Sequence, residues 1–268
     1  MLPTIDILGR TIPTYGIFAG LGLIAAVLYL QLTESKRDFP TRHTESALAV
    51  CVIGAFLGAK IVYLCTVLPE FLRAVANISS DPAGFFRTYL QSGFVFYGGL
   101  WGVLLAGYLY CRRAKLSFFS MCRTMLPMVP LFHAFGRVGC FCAGCCYGVP
   151  SSWGIAFSCS QFAPNGVTLL PVQLLEAAGE AILFGVLVWM ARKPGSGKAM
   201  LQLWLSSYSV MRFVLEFFRG DLYRGAAAGL TTSQWFSLVS VAAVLLLQWC
   251  PGGESSGKPH RVCRRSGK

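Results

Sequence analysis

An all-helical protein that crosses the membrane about seven times is the fold class this sequence predicts, and three observations predict it. The 268 residues are 55% hydrophobic and only 13% charged, with a mean hydropathy of +0.59, too apolar for a soluble domain of this length. Apolar stretches of roughly 20 residues, enough to cross about 30 Å of hydrocarbon, recur along the chain. The basic residues gather in alternate connections between them.

The first stretch runs from Pro13 to Leu32. It has no basic segment before it and is longer than the apolar part of a cleavable signal, so it is expected to remain as a helix. Lys36, Arg37 and Arg42 follow, then the second stretch, Ser46–Leu68, and the third, Phe94–Cys111. After Arg112, Arg113 and Lys115 comes the fourth, Phe118–Phe135, which contains Arg123. The fifth is Val172–Met190, separated by Arg192, Lys193 and Lys198 from the sixth, Ala199–Phe217; the seventh is Thr232–Cys250. Two connections are long, Pro69–Gly93 and Gly139–Pro171, and long connections in compact domains tend to be functional. Residues 251–268, rich in Gly, Ser and basic residues, read as a disordered cytoplasmic tail, leaving 1–250 as one membrane-embedded domain.

With alternate connections assigned to the cytoplasm, that side holds the ten basic residues just named plus Lys258, Arg261, Arg264, Arg265 and Lys268, 15 of the 23 Lys and Arg. The positive-inside rule then puts the N-terminus out and the C-terminus in. The net charge of +12 is thereby read as topology and contact with anionic membrane lipids, not nucleic-acid binding.

Ionisable residues inside apolar segments are costly and mark functional sites by default. His133 and Arg137 lie four apart at the end of the fourth span, on one helical face, followed by glycines at 139, 144 and 148 that let backbone approach a ligand. In the sixth span Arg212, Glu216 and Arg219 fall at i, i+4 and i+7, a single helical face with one net positive charge left for a phosphate. Tyr15-Gly16 opens the first span and Tyr97-Gly98-Gly99 the third. Small-residue packing, a buried ionic network and an aromatic belt are the structural alternatives for these features.

Taken together, and in this order, the pieces resemble the prolipoprotein diacylglyceryl transferase family from about residue 12 to 245. They are Tyr15-Gly16, Gly54-Ala-Phe-Leu-Gly58, Gly98-Gly99-Leu100, Gly136-Arg137-Val-Gly139 with Gly144 and Gly148, Pro171-Val-Gln173-Leu-Leu-Glu176, Arg212 to Arg219, and Gln234. The resemblance implies an enzyme of the bacterial cytoplasmic membrane, working without a cofactor at its outer face. It would move a diacylglyceryl group from phosphatidylglycerol to the lipobox cysteine of a prolipoprotein and release glycerol phosphate. It implies Arg137 on the lipid headgroup, Arg212 on the developing phosphate charge with Glu216 and Arg219 orienting it, and Tyr15 on the phosphate or glycerol hydroxyls. Gly98, Gly99, Gly139 and Glu176 complete the implied binding residues.

The sequence departs from the family in two places. Where members carry His before Gly-Gly-Leu, this chain has Tyr97, a poor base near neutral pH. His133 is the alternative base. Where the family loop has Asn and Glu, Cys140 and Cys145 stand, with Cys142, Cys146 and Cys159 nearby, so five of eleven cysteines fall on one expected loop. A disulfide, a metal site built from Cys140, Cys145, Cys146 and His133, a thiol carrier and plain structural cysteines all fit. Two other functions therefore stand beside the transferase: a thiol-redox or metal-dependent membrane protein on the same scaffold, and an anionic-lipid-binding module without catalysis.

Overall fold

The computed structural model describes residues 3–249 apart from 8, 34, 35, 37, 92 and 222–225; the expected tail, 251–268, lies outside the described residues. Helices dominate: α1 (Thr14–Thr33), α2 (Thr41–Thr66), α3 (Leu68–Ala76), α4 (Pro82–Phe85), α5 (Phe96–Ala114), α6 (Phe118–Met125), α7 (Met128–Ala143), α8 (Val172–Met190), α9 (Gly197–Glu216) and α10 (Thr232–Trp249). Three two-stranded antiparallel pairs close the ends: β1 (Thr4–Ile7) with β2 (Arg10–Pro13), β3 (Pro150–Ala156) with β4 (Thr168–Leu169), and β5 (Ala226–Ala227) with β6 (Leu230–Thr231).

Among the described residues α1, α2 and α8 are long and apolar enough to cross a membrane, and the bent pair α6–α7 makes a fourth candidate span. Their outer faces carry Leu23, Ile24, Leu28, Ile53, Phe56, Leu57 and Ile61, all exposed, a surface suited to lipid. The fourth span differs from the expected Phe118–Phe135. It turns by 41° between Met125 and Met128, at Pro127, which offers no N–H to the helix ladder. It then continues to Ala143, so His133, Arg137, Cys140 and Cys142 are all helical. The connection Pro69–Gly93 is likewise helical in large part, with α3, α4 and a π-turn over Phe86–Gln91. Lys60 of α2 anchors that arm, donating to the Tyr89 and Gly93 carbonyls at 3.1 Å each.

Packing divides the helices by side-chain size. Gly54 and Gly58 of α2 mesh with Gly98 and Gly102 of α5: a Cβ on Gly58 would lie 2.2 Å from the Gly98 carbonyl oxygen, and one on Gly102 2.0 Å from that of Gly54. Only glycine permits so close a crossing of two backbones. Large residues fill the rest, with Leu187, Met200, Trp204, Leu205 and Tyr208 fully buried between α8, α9 and their neighbours. Arg123, expected among the cytoplasmic charges, is buried, paired with Asp38 and donating to the Ala191 carbonyl at 3.1 Å. At the start of α10, Thr231 and Gln234 form a reciprocal cap: each backbone N–H reaches the other's side-chain oxygen, at 3.0 and 3.3 Å.

A staple fixes the far end of the site. Val149 donates to the Phe218 carbonyl at 2.9 Å and Gly220 to that of Tyr147 at 2.9 Å, pairing Gly148 with Arg219 as an antiparallel bridge. The segment after α7 is thus held against the residues that follow α9.

Candidate active site

Three helices carry charge to one buried point. Glu176 of α8, 2% exposed, places one carboxylate oxygen 2.9 Å from Nη2 of Arg137 on α7 and the other 3.7 Å from Nη1 of Arg212 on α9. One carboxylate is therefore shared between two guanidiniums. Arg212 is held further by Glu216, at 2.5 Å one turn on, and by the Ser233 hydroxyl at 3.3 Å. The Tyr208 hydroxyl donates to Glu176 at 3.4 Å. Charges this deep are tolerated because each has an opposite partner.

His133 orients Arg137. Its Nδ1 lies 2.8 Å from Glu180 and its Nε2 accepts from Arg137 Nε at 3.2 Å. The ring is buried and stacks on Phe96, with centroids 4.4 Å apart. Both nitrogens are engaged. Tyr97 sits deeper, 2% exposed, its hydroxyl 2.6 Å from that of Ser237 and its ring stacked on Phe236.

Other predicted residues fall on the rim or in packing. Gly98 and Gly99 face α2, and a Cβ on Gly99 would be 3.3 Å from the Ala55 carbonyl oxygen. Gly139 lets α7 run against Tyr15 and Phe18 of α1, and Tyr15 stands half exposed at that contact. Arg219 does not share a helical face with Arg212: α9 ends at Glu216, and Arg219 forks onto Asp221, with Nε and Nη2 at 2.8 and 2.6 Å from its two oxygens. Asp221, two residues away, carries a charge of the sign needed for that local pair. Glu180 and Tyr208 were missed as well; Glu180 lies four residues after Glu176, on the same face of α8.

The thiols of Cys140, Cys145 and Cys146 cluster, with every Sγ within 4.8 Å of the others, while Cys142 and Cys159 lie outside the group. Two left-handed residues bring them together: Gly144 (φ 74°) caps α7, and Cys146 takes φ 61°, a conformation uncommon without glycine. Cys145 receives a 2.8 Å hydrogen bond on its carbonyl from Gln173 Nε2, whose Oε1 is buried without a partner. Accepting from the Cys140 and Cys145 thiols draws the Cys146 thiol well below the usual range, and the Arg219 and Arg137 guanidiniums act in the same direction. Cys145, donating to the other two sulfurs, is pushed the opposite way.

The chain that builds this site has relatives among known proteins. Residues 3–250 match the family described as prolipoprotein diacylglyceryl transferase. A phosphatidylglycerol–prolipoprotein diacylglyceryl transferase of Clostridium tetani is 34% identical over 238 residues, covering 88% of this chain and 92% of the relative. A second, from Clostridium perfringens, is 33% identical over 244 residues, 90% and 92% of the two chains. One from Bordetella parapertussis is 31% identical over 230 residues, 84% of each. Matched by that family over residues 3–250 and by such relatives over most of both chains, the chain belongs to the prolipoprotein diacylglyceryl transferase family.

Proposed function

We propose that this protein transfers the diacylglyceryl group of phosphatidylglycerol to the lipobox cysteine of a prolipoprotein, releasing glycerol phosphate, at the outer face of a bacterial cytoplasmic membrane. The observation that carries this reading is the buried Arg137–Glu176–Arg212 bridge in a chain whose relatives bear that activity in their names. The thiolate attacks the glycerol carbon bearing the phosphate, and the carbon–oxygen bond breaks with its electron pair passing to the phosphate oxygen. The protein's task is to bind the headgroup and stabilise that charge. Preorganised guanidiniums in a dry site do this at little reorganisation cost. Arg137 takes the headgroup, Arg212 the developing charge, and Glu216 aligns Arg212. Tyr15, at the half-exposed rim, addresses the phosphate or the glycerol hydroxyls. His133 acts as a positioning residue for Arg137, since its basic nitrogen is already used.

The topology belongs to the same proposal. Seven spans are α1, α2, α5, the α6–α7 pair, α8, α9 and α10, with the N-terminus out. In α9 the charged residues that serve the site, Arg212 and Glu216, are buried, which lowers the apolar character of that span without exposing charge to lipid.

Purified protein incubated with phosphatidylglycerol and a lipobox peptide should release glycerol phosphate and form a thioether. Arg137→Gln and Arg212→Gln should each lower the rate by about 10²–10³-fold. Binding of phosphatidylglycerol with neither product formed would favour the non-catalytic lipid-binding reading.

A further inference from the structure

We propose that Cys140, Cys145 and Cys146 hold a zinc ion whose fourth position receives the acceptor cysteine, so that the metal, not a side-chain base, generates the attacking thiolate. The inference rests on the transferase reading and adds to it a metal site and a way of activating the thiol.

Geometry is the first support. Three sulfurs within 4.8 Å of one another need move by about 1 Å to reach the ~3.8 Å spacing of a tetrahedral zinc–thiolate site with Zn–S bonds near 2.3 Å. A disulfide uses the cluster less well. Cys145 and Cys146 are adjacent, with Cα atoms about 3.8 Å apart, closer than ordinary disulfides allow, and joining Cys140 to either leaves the third sulfur over. The left-handed backbone at Cys146 is the local distortion that turns its side chain to the other two. Among the described residues these three form the only such group, and three protein ligands with one open position is the pattern of reactive zinc sites.

Placement is the second. Cys140 lies one helical turn beyond Arg137 on α7, and Gln173, bonded to the Cys145 carbonyl, lies one turn before Glu176 on α8. The metal would therefore stand one turn along from the phosphate-binding arginines. The three cysteines are each half-buried, on the side where Tyr15 is open. Arg219 and Arg137, whose fields reach Cys146, offset the negative charge of a three-thiolate zinc site.

Need is the third. The two residues positioned to act as bases are engaged, His133 by Glu180 and Arg137 and Tyr97 by Ser237, whereas a thiol bound to zinc is deprotonated outright. Zinc binding releases the protons of the three protein thiols to solvent, and the acceptor thiol releases its own on coordination. The bound sulfur then attacks the glycerol carbon, the carbon–oxygen bond breaks towards the phosphate, and the neutral thioether leaves the metal as the weaker ligand. No electron is gained or lost overall.

The test uses full-length, reduced, metal-stripped protein in detergent, titrated with Co²⁺ and with Zn²⁺. One metal per chain is expected, with a near-ultraviolet sulfur-to-cobalt band that grows when a lipobox peptide is added and not when its cysteine is replaced by serine. Cys145→Ser and Cys146→Ser should lose the band, Cys142→Ser should keep it, and Cys145→His should keep the metal with a weaker band, which separates ligand loss from misfolding. Glycerol phosphate release should fall about 10²-fold on stripping and return with zinc. Failure to take up metal, a band indifferent to the cysteine substitutions or to the peptide, or undiminished release by stripped protein each overturns the proposal. In the last case the transferase reading stands. A peptide-responsive metal band with no release under any condition fails the transferase reading and leaves the metal site in place.

Discussion

Glu176 serves two masters, and its substitution separates them. Removing the carboxylate leaves two buried guanidiniums short of a partner, so Glu176→Ala should lose about 3–5 kcal/mol of stability, seen as a lower unfolding temperature in detergent. The isosteric Glu176→Gln variant keeps the shape of the site and leaves the two guanidiniums without their shared negative charge, so glycerol phosphate should raise its unfolding temperature more than that of the parent. His133→Gln tests positioning against base catalysis. A positioning residue leaves the acid limb of the pH–rate profile where it was while the rate drops by about tenfold; a base would abolish that limb.

Helices were more legible in the sequence than their contacts. Val172–Met190 coincides with α8, and the sixth and seventh stretches lie within two residues of α9 and α10, because a long apolar run has few alternatives in lipid. The fourth span differs at a proline visible in the sequence, and Cys140 and Cys142, expected on the connection that follows it, are helical because α7 runs on to Ala143. Arg137 and Arg212 stood out as ionisable residues in apolar surroundings. Glu180 carries the same signal, an acid inside an apolar stretch one turn after Glu176, whereas Asp221 does not, since its pairing with Arg219 needs a chain reversal after α9. The glycine crossing gives a test at this scale. Gly58→Ala and Gly102→Ala, whose Cβ atoms would meet backbone oxygens at 2.2 and 2.0 Å, should each destabilise by about 1–3 kcal/mol, whereas Gly99→Ala, at 3.3 Å, should be far milder.

For the molecule as a whole, the orientation makes its own prediction. In intact cells a membrane-impermeant maleimide should label the exposed Cys159 and should not label a cysteine placed at Arg113; the reverse pattern would invert the topology. The charged bridge also has a consequence for how the chain enters the bilayer. An ionised side chain carried alone to the centre of the hydrocarbon costs on the order of 3 kcal/mol, yet Arg137, Glu176 with Glu180, and Arg212 arrive on three successive helices, α7, α8 and α9. Each neutralises the one before it. During biogenesis α7 should therefore linger at the insertion machinery until α8 emerges, and the two should leave for the lipid together.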